Sequence, residues 1–282
     1  MLDKIFVILV LYQTKLEESK TIKSLNEVLD LNFNIFVYDN SPIKQYEKDN
    51  FELGKLNIHY FHDESNLGLS TAYNYALNLA QKCNKTWLLL LDQDSTLTQE
   101  YIVALEKTEE ISLPYRVVAI IPKVLMMSNN QAISPCKIGL GGLTRPININ
   151  TGLIEQPISA INSGTLLKVN YMVDINGFSK NYSLDMLDHW YFRKLYNDGY
   201  KSFLLSATIY QELSVYGSIE ENMSIERYQQ ILKAESNFIS EQNFIGVFIF
   251  RLRLFFRFLK QLNFKNKRFS KFSLYYAFGF FK

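Results

Sequence analysis

The feature that most restricts the fold is an alternation of short apolar runs with segments of helical period. Ile5–Tyr12, Ile35–Tyr38 and Trp87–Leu91 contain no charged side chain. Such runs read as strands buried on both faces, the usual condition of a parallel sheet. Between them, residues 16–30 carry Leu16, Ile22, Leu25 and Leu29 at mixed helical spacings, and residues 68–83 carry Ala72, Tyr75, Ala76, Leu79 and Ala80. Residues 98–110 are again helical in pattern, and LNIHYF (56–61) and RVVAIIP (116–122) add two strands. The order strand, helix, strand, strand, helix, strand, helix, strand predicts an α/β fold with a mostly parallel sheet flanked by helices. In such sheets ligands bind at the carboxyl ends of the strands.

Further along, residues 125–160 are rich in Asn, Gly, Pro and Ser and lack a period, which reads as a long irregular excursion. PISAINSGTLLKV reads as strand–turn–strand, and residues 184–198 and 222–241 as helices, with Gly199 as C-cap of the first. The 282 residues are 48% hydrophobic and 21% charged, which excludes a disordered chain. The two cysteines, Cys83 and Cys136, exclude a disulfide scaffold and a zinc cluster.

Charge divides the chain in two. No acidic residue follows Glu241, while the last 41 residues hold nine basic ones and 14 of the 41 aromatics. Residues 1–241 carry 21 basic against 28 acidic side chains, a net of −7. This gives an α/β domain over 1–217 and a helical, basic-aromatic extension over 218–282. The apolar run at Ile5 is too short to span a bilayer and is followed by no cleavage site. The segment from Phe244 to Lys260 is interrupted by Arg251, Arg253 and Arg257. A cytoplasmic protein is the expectation.

Two strands end in carboxylates: Asp39 after IFVY, and Asp92 and Asp94 after WLLLL. Hard oxygen ligands of this kind suit Mg2+ or Mn2+, completed by substrate phosphates. Alone, Asp92-Gln93-Asp94 reads as a polar strand end capping the next helix; the fully apolar run before it and the expected proximity of the Asp39 strand favour the ligand reading. Ser65–Asn74 lies between a strand and a helix, where Gly68 would permit close backbone approach and the helix N-terminus would favour phosphate. By itself the segment also reads as a helix-start turn. There is no GxxxxGK[ST] motif and no GxGxxG after the first strand, so a P-loop and the usual dinucleotide site are excluded. Asp185 and Asp188, three apart in a predicted helix, share a face. One of them there would serve as general base for a sugar hydroxyl, or both are solvated. Trp190, Tyr191 and Phe192 beside them suit sugar stacking or a core; His189 receives no role.

Taken in order, FVILVLYQ, VYDNS, NLGLSTAYNYAL, LLLLDQDS, INSGTLLK and GFSKNYSLDMLDHWYFRKLYNDGYKS resemble the family 2 glycosyltransferases of the GT-A fold, a Rossmann-like α/β architecture, over residues 4 to about 217. Within that family the chain is most similar to the bacterial rhamnosyltransferase-like branch. The resemblance implies inverting transfer of a sugar from a nucleotide-diphosphate donor to a saccharide, such as a lipid-linked one in surface polysaccharide assembly. It implies that Asp39 contacts the donor base or ribose and that Asn66 and Gly68 line the nucleotide pocket. It makes Asp94 the direct metal ligand, with Asp92 nearer the sugar or ribose, and Asp188 the catalytic base with Asp185 its neighbour. The acceptor side would include Asn162, Ser163 and Gly164 of the Ile161–Thr165 turn, and Trp190. One departure is Gln211, which stands where many members carry a histidine in a late strand-end motif.

Two other functions compete. A sugar-nucleotide nucleotidylyltransferase uses a similar sheet and acidic metal ligands, but no Gly-rich signature with Arg or Lys stands near the N-terminus. A non-catalytic membrane-bound binding subunit of the same fold would not need Asp92, Asp94 and Asp188 together. The basic-aromatic tail suits an anionic membrane surface, at the inner face of the plasma membrane, better than nucleic acid; packing on the catalytic domain or a homo-oligomer contact are its alternatives.

Overall fold

Strand β1 (Ile5–Leu11) is the axis on which the sheet is built, with β2 (Phe33–Asp39) parallel on one side and β5 (Trp87–Asp92) parallel on the other. In this computed structural model, which describes residues 2–30, 32–108, 113–212, 220 and 223–279, the strands follow the apolar runs closely. Outward from β2 come β4 (Leu56–His62), parallel, and β3 (Asn50–Leu53), antiparallel. Beyond β5 lie β12 (Thr165–Lys168), antiparallel, then β7 (Val117–Met126), β13 (Lys201–Gln211), parallel to β7, and β11 (Gly152–Ile154). Two short strands, β6 (Ser95–Thr96) and β8 (Ala132–Ser134), pair with β13 and β7, and β9 (Cys136–Ile138) and β10 (Thr144–Pro146) form a separate two-stranded sheet. The expected mostly parallel mixed sheet with flanking helices is therefore present. One neighbour differs: β1 lies between β2 and β5, so the Asp39 strand does not pair with the Asp92 strand.

Helices α1 (Lys20–Val28), α2 (Leu69–Lys82) and α3 (Gln99–Lys107) follow β1, β4 and β6. Helix α1 begins later than its pattern predicts because Ser19 caps it, its Oγ accepting from the Ile22 amide. The buried stripe of α2 runs through Ser70, Ala72, Tyr73, Ala76, Leu77 and Ala80. It is turned from the expected stripe: Tyr73 faces inward, and Tyr75 instead stacks on Phe36 and Phe61. Helix α4 (Val169–Asp174) continues from β12, and α5 (Leu187–Asn197) precedes β13. Gly199, at φ +81°, sits just beyond the Asp198 cap of α5, the left-handed position that favours glycine. Predicted helix residues 109–110 and 222, and the proposed boundary at 217, lie outside the described residues.

The chain divides into two compact units, residues 1–136 with 146–212 and residues 137–145 with 213–282. The first is the α/β sheet and its helices. The second contains α6 (Ile225–Ser240), α7 (Phe244–Gln261) and α8 (Arg268–Ala277). A buried polar triad ties these three helices together: the Gln261 amide donates to Tyr228 Oη at 2.9 Å, Ser273 Oγ donates to Gln261 Oε1 at 2.7 Å, and Tyr228 and Ser273 share a hydrogen bond. Arg257 adds a two-pronged ion pair to Glu235 at 3.0 and 3.3 Å. The glycine-rich part of the irregular excursion belongs to this unit. Gly141, at φ +68°, lies so close to α7 that a Cβ there would meet Ile249 at 2.7 Å.

Candidate active site

The carboxyl ends of β1, β2 and β5 are brought level by the sheet register, which pairs Leu11 with Asp39 and Val10 with Asp92. The loop after β5 is held from beneath by the first turn of α1. Thr21 Oγ1 donates to the Asp92 carbonyl and accepts from the Ser95 amide at 3.2 Å, Ser19 Oγ donates to the Gln93 carbonyl at 2.8 Å, and Ser24 Oγ accepts from the Leu97 amide at 3.0 Å. These hydroxyls explain why a helix face that should be apolar buries Thr21 and Ser24. Gln93 turns away and bonds the backbone of Tyr12, which leaves the two aspartates directed to one place.

Asp92 and Asp94 are both partly buried. The β13–β6 pairing sets Gln211 opposite Ser95, so its side-chain amide sits between the two carboxylates. Gln211 Nε2 donates to Asp94 Oδ1 at 3.2 Å and lies 3.4 Å from Asp92 Oδ2. Tyr73, fully buried on α2, directs its hydroxyl to Asp92 Oδ1 at 3.3 Å. Burial first, and the charge of Asp94 second, push the Asp92 carboxyl up to about 7. Asp94 is also raised, chiefly by burial, with the Gln211 amide and Lys20 opposing the rise. Two carboxylates that repel each other in a partly dry site are what a divalent cation relieves. Among the described residues no three His, Cys, Asp or Glu side chains gather as a metal group. The paired carboxylates of Asp92 and Asp94 fit a hard cation whose remaining ligands come from substrate and water. Gln211 Oε1 is buried and without a partner, as are Asn40 Oδ1 and Asn162 Oδ1.

Asp188 lies in the first turn of α5, where Oδ1 accepts from the His189 amide at 2.7 Å. Its charge contributes to the raised values of Asp92, Tyr73 and Tyr191, which places it in the same electrostatic neighbourhood. His189 also belongs here: Nδ1 shares a 2.6 Å hydrogen bond with Ser159 Oγ and stands 3.7 Å from Asp188 Oδ1. Asp185 does not share a helix face with Asp188. Met186, at φ +63°, caps α5 in the left-handed region, so the helix starts after Asp185 and the expected spacing does not apply. Trp190 is half-buried with its ring 6.4 Å from that of Tyr182, while Tyr191 and Phe192 are core.

The remaining expected residues divide into surface and support. Asn66 is exposed at φ +42°, and Gly68 caps α2 at φ +92°, where a Cβ would meet the Ser183 carbonyl at 2.4 Å. Asp39 is wholly buried: Oδ1 accepts from the Ser41 amide at 2.9 Å, and Oδ2 accepts from Tyr60 Oη at 2.6 Å and Gln45 Nε2 at 3.1 Å. Direct contact with a ligand would require Gln45 or Tyr60 to give way. Beside it a cleft of about 340 Å3 is lined by Gln13, Lys15, Ser41, Pro42 and Gln45, inside the range usual for small-molecule sites. In the 161–165 turn, Ser163 and Gly164 are buried and brace β5. Ser163 Oγ accepts from the Asp92 amide at 3.2 Å, and the Gly164 amide donates to the Leu90 carbonyl at 2.8 Å. They support Asp92 from below and offer no surface to a ligand; Asn162 is almost as buried.

Sequence reasoning left out Tyr73, Thr21 and His189. Thr21 carried a usable signal, a polar side chain beside the apolar positions of a helix; Tyr73 did not, because Tyr75 fits the inward stripe of α2 equally well.

Residues 7–111, from β1 through α3, match the Glycosyl transferase family 2 model. The crystal structure of S. aureus TarS 1-349 aligns with 98% of this chain and 79% of its own length, at TM-score 0.51 and 17% identity. GalNAc-T7, solved with UDP, GalNAc and Mn2+, aligns with 95% of this chain over 53% of its own, at 0.59 and 12%. The mannosyltransferase PcManGT from Pyrobaculum calidifontis, in complex with GDP-Man and Mn2+, aligns with 99% and 81%, at 0.51 and 10%. No curated protein sequence matches the chain. At these identities the likeness is one of fold: the chain has the GT-A glycosyltransferase architecture, and its first third matches glycosyl transferase family 2.

Proposed function

We propose that this protein is an inverting, metal-dependent glycosyltransferase that moves a sugar from a nucleoside-diphosphate donor to a saccharide acceptor. The observation that carries the reading is the convergence of Asp92, Asp94 and Gln211 at the strand ends, with Asp188 in their electrostatic neighbourhood. Mg2+ or Mn2+ held by Asp94 and Asp92 would neutralise the charge on the departing nucleoside diphosphate. Asp188 takes the proton of the acceptor hydroxyl as that oxygen attacks the anomeric carbon opposite the leaving group. The new glycosidic bond forms as the bond to the diphosphate breaks, and the configuration inverts. Asn66 and Gly68 line the nucleotide side, and Asp39 shapes the cleft wall through Ser41 and Gln45. Asp185 and Trp190 belong to the acceptor side, with the buried Asn162, Ser163 and Gly164 as its support.

The transferred sugar is a hexose or rhamnose, and the acceptor is a lipid-linked saccharide of surface polysaccharide assembly on the cytoplasmic leaflet. The test is a screen of nucleotide-sugars for metal-dependent protection against thermal unfolding, since a bound ligand stabilises by mass action, followed by product analysis. Release of nucleoside diphosphate supports transfer. Release of pyrophosphate identifies a nucleotidylyltransferase, and donor binding without turnover on any acceptor identifies a binding subunit.

A further inference from the structure

We propose that the exposed face of α7, extended by Phe278 at the end of α8, is a docking surface for an anionic lipid bilayer. The fold of the helical unit decides which side of α7 faces inward: Gly246, Phe250, Leu254 and Gln261 are buried. The opposite side is unusual for a helix in water. Phe244 is 83% exposed, and Ile245, Phe248, Leu252, Phe256 and Leu259 stand between 42% and 57%. At 3.6 residues per turn these positions fall on one half of the circumference. Phe255, half-buried on the same side, reaches Phe278 of α8, itself 59% exposed, at a ring separation of 6.5 Å. The result is one apolar surface across two helices.

Charge selects the occupant. On the helix wheel Arg251 borders the stripe on one side and Lys260 on the other, and both are exposed. Exposed Lys265, Lys267, Arg268 and Lys271 follow. No acidic residue occurs after Glu241, and Glu235 is already held by Arg257. Apolar side chains with basic ones at their edges suit a helix lying in the bilayer interface, rings down and cations toward the headgroups. Among the described residues no helix is long and apolar enough to cross a membrane, so the surface would lie on the bilayer. A second copy of the chain fits less well, because joining the two stripes would oppose two sets of cations with no acid between them.

The experiment uses the full chain and no sugar nucleotide, so its result is independent of the glycosyl-transfer reading. Sedimentation is measured with phosphatidylcholine vesicles, with and without phosphatidylglycerol, at low and raised salt. Salt-sensitive binding to the anionic vesicles is expected. F248S/L252S/F256S, which alters exposed positions only, should weaken it on the order of 10²-fold. R251S/K260S should weaken it by about fivefold per charge and gives a second reading should the triple variant misfold. Absence of binding at low salt overturns the proposal, as does equal binding by both variants and the parent. So does a dimer in light scattering that the triple variant dissolves while vesicles capture neither.

Discussion

At the carboxyl edge of the sheet, two carboxylates are drawn out of water until they share one amide donor, whereas in the helical unit Phe244, Phe248 and Phe256 are left standing in water. The first arrangement raises Asp92 and Asp94 above the usual carboxylate range, because charge is disfavoured where solvent is thin. The second leaves apolar area unburied in a unit that has already built a core around Tyr228, Leu232, Phe238, Leu254 and Phe269. Each is locally unfavourable, and each would be relieved by something the chain does not contain: a cation with its diphosphate in one place, a lipid surface in the other. Local conflict of this kind concentrates at functional sites, where stability is given up for binding.

The comparison breaks most decisively at Asp188. Asp188→Asn should lower kcat by roughly 10²–10⁴-fold with donor affinity little changed; steady-state kinetics and a donor-binding isotherm separate the two. Weakened donor binding with kcat intact would move Asp188 out of the chemistry. Next is Asp94→Asn, for which a loss of roughly 10²–10³-fold is expected, together with loss of metal-dependent thermal protection by the donor. Normal turnover by this variant, or by the parent protein in excess chelator, would remove the metal from the mechanism.

Gln211 sharpens the comparison through stability. With the cation absent its amide separates two like charges, so Gln211→Ala should destabilise the metal-free protein by about 1.5–3 kcal/mol, and Mn2+ should restore much of that. Calorimetric melting with and without the ion reads both. A comparable effect comes from pH. The folded Asp92 carboxyl titrates near 7 and its unfolded counterpart near 4. Between those values the folded state keeps a proton that the unfolded chain has lost, so this group removes stability as pH rises through the window. The melting midpoint of metal-free Asp92→Asn, compared with the parent at pH 5 and pH 8, should fall less with pH; parallel curves would refute the assignment. The smallest effect is expected on the lipid face. The three histidines, His59, His62 and His189, all lie outside the helical unit, so vesicle binding should stay flat from about pH 5 to 8.

How much was legible varies along the chain for physical reasons. Strands buried on both faces have nothing but apolar side chains, so β1, β2 and β5 stand out, and their carboxylate ends with them. Strand β13 does not: its pattern mixes Lys201, Ser202, Ser206 and Thr208 with apolar residues. The amide at its end, Gln211, therefore has no local signature of facing Asp92 and Asp94. Helix α2 fits two inward stripes equally well, one through Tyr75 and one through Tyr73, and packing against the sheet chose the second. The helical continuity expected across Asp185 and Asp188 was broken by one left-handed residue, Met186, which no spacing rule detects.

By itself, then, the sequence determined the alternation of strands and helices, the Asp-x-Asp element at a strand end and the separation of an acidic body from a basic-aromatic tail, because periodicity and composition are local properties of the chain. Which groups meet was decided only by the tertiary structure. Register set Gln211 opposite Ser95, Ser19 and Thr21 met the loop after β5 across some 70 residues of chain, and Phe250 and Leu254 were turned inward so that Phe248 and Phe256 faced out. Contacts of that range depend on the packing of whole elements, and no window along the chain contains both partners.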